Sequence, residues 1–305
     1  MAKTGDSRID DTLDYLQNKL TPGRSSEVQQ AVAALPNKAA VGNTLTIGHH
    51  GAGTNARHAK RGLMLLATLF VTNPALRMQA VAHAKALPEG DEATLIKEID
   101  SWFCAPGVGG DVVAREAAAN IAKMPKWNNV NYEAAPAVRG VYDASTPFNC
   151  YNAIVFWAFQ AGAISKRYLW NKLQGNNGNA FFPIYSQVGW TTLFDDETHV
   201  DTIGKKPVIV PTGRTVYFET PAKVFGHVAL SLGDGRCISQ NSVMDFLPAA
   251  LDGPNGAEWR KMSVAETHIL PIREMLDYKF MPAHGYPRLK ISNGQFWDTI
   301  PIKER

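Results

Sequence analysis

The chain has 305 residues, 45% of them hydrophobic and 19% charged, the composition of a globular protein with enough apolar material for a sizeable core. Its formal net charge of +3 is mild, and no Lys/Arg run is dense enough to track a phosphate backbone, which argues against nucleic acid as a partner. The apolar run from Gly62 to Val71 falls well short of the roughly 20 residues needed to cross a bilayer, so no membrane span is expected.

In chain order, the first residues, MAKTGDSRIDDTLDY, lack the basic-then-apolar pattern of a secretory leader, so synthesis in a cytoplasm is expected. From Ser7 to about Met124 apolar residues recur at three- and four-residue spacing, which predicts helices in DDTLDYLQNKL, SSEVQQAVAAL, ARHAKRGLMLLATLFV, ALRMQAVAHAKAL, ATLIKEIDSWF and VVAREAAANIAKM. Breaker-rich joints separate them: TPGRSS, VGNTLTIGHHGAGTN, LPEGDE and APGVGGD. Between residues 125 and 140 the character changes, dividing a helical region, 1–130, from a second domain, 131–305. There one apolar helix, roughly Pro147 to Ala163, precedes strand-like runs KPVIV, RTVYFE, HVALSL and RCISQ, an α+β arrangement with antiparallel strands.

That helix opens on TPFNCYNAI. Thr146 suits the N-cap and Pro147 the first helical position, which sets Cys150 at the end of the first turn. The partial positive charge of a helix start favours thiolate over thiol, and the thiolate is the reactive species. Buried cysteines are also common as inert core, and Cys104, at a helix end, and Cys237, within an apolar strand, read that way. With three cysteines and no C-x-x-C pair, neither a disulfide framework nor a zinc knuckle is expected.

A nucleophilic cysteine needs a base, itself oriented by a third polar group. His227 opens GHVALSLGDGRCISQNSV, a β-hairpin by its alternation and its Gly-Asp-Gly turn. His227, Ala229 and Ser231 share one face, small and polar, which suits a cleft; Val228, Leu230 and Leu232 share the other. A two-residue turn sets Gln240 on the histidine's face, and a one-residue bulge sets Ser239 and Asn241 there instead, so all three stand as candidates for the third member. Among the other histidines, His49, His50 and His58 in GHHGAGTNARH match neither a phosphate loop nor a metal pattern, and His83, His199, His268 and His284 have no partner signature.

Taken together, FNCYNAIVFWAFQAGAISKRYL and VPTGRTVYFETPAKVFGHVALSLGDGRCIS resemble the cysteine helix and the histidine hairpin of the NlpC-type, papain-like cysteine hydrolases, in the same order, over residues 142 to 245. The resemblance implies a papain-like domain after a helical region, Cys150 as nucleophile and His227 as general base. The third member falls at Ser239, where a histidine is usual, with Gln240 and Asn241 still open. Asn149 stands where an aspartate is usual, and Tyr142 is the candidate oxyanion tyrosine. The implied chemistry is amide hydrolysis through an acyl-enzyme, with no metal or organic cofactor. The implied substrate is a peptide of peptidoglycan, in an effector toxin exported without a classical signal peptide and met by a delivery or immunity protein. Two alternatives stand beside it: a protein-modifying toxin, deamidase or protease, with the same dyad, and a non-enzymatic binding module on a degenerate hydrolase fold.

Overall fold

The computed structural model describes residues 3–48, 54–123, 150–173, 188–194, 208–219, 225–240, 267–272 and 288–305. The chain groups into two compact units: Met1–Cys104 with Ser165–Gly175 and Lys303–Arg305, and Ala105–Ile164 with Asn176–Ile302. The grouping changes after residue 104, and residues 105–123 group with the sheet. Helices and an antiparallel sheet make the whole an α+β protein.

The first unit is built on α1 (Ser7–Lys19), α2 (Pro22–Ala33), α3 (Lys38–Thr44), α4 (Thr54–Phe70), α5 (Pro74–Ala86) and α6 (Glu92–Asp100). The starts follow local chemistry. Asp6 accepts from the Arg8 N–H at the head of α1, Asn73 accepts from the Ala75 and Leu76 N–H groups ahead of α5 with Pro74 at its first position, and Asp91 caps α6. In α1, Ile9, Leu13 and Leu16 form one buried stripe. In α4, Leu63 to Ala67 are all buried, which makes that helix the hub. Gly62 allows this packing, because a Cβ there would lie 2.9 Å from Leu16 Cδ2. The short α9 (Lys166–Tyr168) and the π turn Leu169–Leu173 return to this unit, where Trp170, 2% exposed, joins its core. Helix α3 was not expected; Asn37 caps it, and it runs into what reads as a joint from Val41 onward.

Among the described residues, the second unit holds α7 (Gly110–Ala119), α8 (Cys150–Gln160) and six strands: β1 (Trp190–Phe194), β2 (Thr215–Glu219), β3 (Phe225–Ser231), β4 (Arg236–Gln240), β5 (Thr267–Pro271) and β6 (Arg288–Ser292). The sheet order is β1-β6-β2-β3-β4-β5, antiparallel throughout. Helix α8 is buried at every position from Cys150 to Ala158, as an all-round apolar helix must be, and it packs on β3, β4 and α7. It ends at Gly162, φ +80°, whose carbonyl accepts from the Ala105 N–H at 2.7 Å. Residues 208–210 of the KPVIV run form no ladder, although Val208 and Val210 are buried. Among the described residues, no helix is long and apolar enough to cross a membrane.

Candidate active site

Strand β3 carries His227, and its two hairpin partners decide what the ring meets. Leu230 pairs with Ile238 and Ser231 with Cys237, so the turn holds three residues, Gly233, Asp234 and Gly235, with both glycines at positive φ. This is the bulged register of the two expected. It sets Ser239 on the histidine's face, and Nε2 of His227 lies 2.5 Å from Ser239 Oγ. Ser239 and the Phe218 ring, 6.0 Å from the imidazole, bound His227 within the sheet. Gln240 turns to the opposite face and accepts from Thr267 Oγ1. Asn241, Tyr142 and Asn149 lie outside the described residues, as do His49, His50, His199 and His284.

On the His227 face Ala229 and Ser231 are as buried as Val228 and Leu230 opposite. Ser231 is satisfied there by donating to the Val210 carbonyl at 2.7 Å.

Cys150 begins the described part of α8 and is 3% exposed. Backbone N–H groups of Val228, Tyr151 and Cys150 itself favour its thiolate. Val228 is the residue after His227, on the strand against which α8 packs. The expectation that the helix start lowers the thiol pKa is nevertheless reversed, because burial outweighs the three N–H groups and pushes the thiol up to about 12. Burial also pulls His227 down to about 4. Both groups therefore rest uncharged at neutral pH.

Tyr217, in β2, pairs directly with Val228 of β3. Burial, then the charge of Glu219, raise it to about 12, so it remains a hydroxyl donor. Glu219, nine-tenths buried, is paired with Lys290 at 2.8 Å. Cys237, fully buried in β4, is pushed up to about 12 by burial alone, and burial raises Cys104 as well.

Nothing in the residue types points to the Val228 N–H, since a backbone donor has no residue type to recognise. Nor do they single out Tyr217, or His268, which β5 sets directly across from Ser239. Among the described residues, no group of three or more His, Cys, Asp or Glu side chains is arranged to hold a metal ion. No protein-family model, curated protein or solved structure matches this chain.

Proposed function

We propose that the chain is a cysteine hydrolase of the NlpC-type, papain-like kind, with Cys150 as nucleophile, His227 as general base and Ser239 as the group that orients the base. One observation carries this reading: helix α8, on which Cys150 sits, packs on the strand that carries His227, while Ser239 occupies Nε2 of that imidazole. Nδ1 is then the nitrogen left for the thiol proton.

Because thiol and imidazole both rest neutral, proton transfer accompanies attack. The sulfur bonds to an amide carbonyl carbon as Nδ1 takes its proton, and the oxyanion is held by backbone N–H groups at the helix mouth. The imidazolium protonates the departing amine, and the thioester is hydrolysed by water with His227 again the base. Peptidoglycan stem peptides are the substrate class, in an effector carried by a dedicated secretion machine and countered by an immunity protein.

Iodoacetamide labelling tests the dyad. Cys237 is as buried as Cys150, with a thiol equally pushed up to about 12. Any excess reactivity of Cys150 at pH 7 therefore reports help from a base, and His227→Ala should abolish that excess. Purified peptidoglycan incubated with wild type and with Cys150→Ala, followed by mass analysis of soluble fragments, tests the substrate. Release by wild type alone is expected; labelling without release would redirect the assignment to protein substrates and a deamidase or protease.

A second reading, a non-enzymatic binding module, draws on the closed, protonated thiol. Equal and slow labelling of Cys150 and Cys237 would establish it in place of the first.

A further inference from the structure

The imidazole of His227 is gripped from two strands. On the β4 side, Nε2 lies 2.5 Å from Ser239 Oγ. On the β2 side, Phe218 is its direct partner, so both side chains share one sheet face, and the two rings stand 6.0 Å apart with their planes 36° from parallel. That separation falls in the range of about 4.5–7 Å over which aromatic rings hold preferred orientations. Phe218 is itself fixed: it is 0% exposed, and Leu289 of β6, also 0% exposed, pairs directly with it on its other side.

The ladder breaks at this point. Phe218 pairs with His227, but the next residue, Glu219, pairs with Phe225, which leaves Gly226 as an extra residue in β3. A bulge of this kind bends its strand and re-aims the side chain beside it. The regular pleat therefore does not fix where the imidazole points, and contacts at the ring must do so. The Ser239 contact holds one vertex of the ring and leaves the plane free to swing about it. A second ring set against the imidazole from the opposite strand removes that freedom. Burial alone accounts for the low pKa of His227, as an apolar wall on that side requires.

We infer that Phe218 is a positioning residue: its ring holds the plane of the His227 imidazole and so aims Nδ1 for the thiol proton of Cys150. The inference deepens the hydrolase reading above and rests on it for its consequence in catalysis. Core filling alone makes no such demand, since cores tolerate apolar replacements of similar volume.

Phe218→Leu keeps an apolar side chain and removes the flat ring, and iodoacetamide rates at Cys150 and Cys237 separate the two roles. Loss of aim slows Cys150 about tenfold, because a small misplacement of a reacting group is costly, and leaves the fully buried Cys237 unchanged. Loss of packing alone loosens the sheet and speeds both thiols together, which would overturn the inference, as would unchanged rates at both. Phe218→Met, closer in volume, carries the comparison if the leucine variant unfolds. The hold on the ring is read without chemistry from ¹³C relaxation at the His227 Cδ2–H and Cε1–H bonds. Wild type should give an order parameter of about 0.85, as for rigid backbone, and Phe218→Leu one below about 0.6; equal values refute the role. If His227→Ala leaves Cys150 labelling unaltered, the hydrolase reading fails, while the relaxation comparison still decides whether Phe218 holds the ring. If His227→Ala slows Cys150 and Phe218→Leu does not, that reading stands and this inference alone fails.

Discussion

A buried histidine that stays neutral records its environment in the pH dependence of stability. The imidazole of His227 titrates near 6.5 in an unfolded chain and at about 4 in the folded one, because burial disfavours the cation. Between those values the unfolded state holds the extra proton. Stability from this group is therefore fully present above pH 6.5, and it falls as the pH drops through the window, by ~3 kcal/mol at the lower end. His227→Gln removes the titration. Melting temperatures of wild type should drop more steeply than those of the variant between pH 7 and pH 4, and parallel slopes would show that the ring is solvated rather than buried.

At the scale of elements, the turns and caps were legible where chemistry is local. Asp6, Asn73-Pro74 and Asp91 start helices as their residue types dictate, and the Gly-Asp-Gly hairpin is where its alternation set it. What could not be read was decided by residues distant along the chain. The hairpin register depends on Gly233, φ +89°, where a Cβ would lie 2.0 Å from Thr212 Oγ1, so a residue outside the hairpin packs against the turn that chooses between Gln240 and Ser239. Strands β1, β5 and β6 are each five residues, and their partners stand far off in sequence, which leaves no local pattern to mark them. Helix α7 meets the loop before β2 at Gly213, φ +79°, where a Cβ would sit 2.1 Å from the Gly110 carbonyl carbon and 2.3 Å from the Asp111 nitrogen. Neither backbone can yield as a flexible side chain would. Gly213→Ala should then cost more than the roughly 1 kcal/mol that a positive φ alone imposes, on the order of 3 kcal/mol. Gly5→Ala is the control, with φ +88° and nothing within 4 Å. Urea midpoints for the two variants make the comparison, and equal losses would mean that backbone conformation, not the close approach, is what matters at Gly213.

For the whole molecule, the return of Ser165–Gly175 to the helical unit has a thermodynamic consequence within that unit. A simple cut, whether after residue 104 or after residue 130, removes Ser165–Gly175 from the unit to which it belongs. That segment supplies Trp170, 2% exposed, to the core containing Leu63, Met64 and Leu66 of α4. It also carries the nine-tenths-buried Lys166 ammonium that pairs with Glu98, and Arg167, whose guanidinium lies 3.7 Å from the centroid of the Phe70 ring and 2.7 Å from Glu27 Oε1. Deleting one large buried aromatic side chain typically costs about 3–5 kcal/mol, which is a substantial share of the stability of a unit this size. Fragments 1–104 and 1–130 should therefore both show α4 amides exchanging at least about a hundredfold faster than in the full chain, since 1.4 kcal/mol corresponds to tenfold. Trp170→Ala in the full chain should reproduce much of that loss with no cut. Full-chain protection of α4 in either fragment would mean that the first six helices close their own core, and that residues 165–175 only rest upon it.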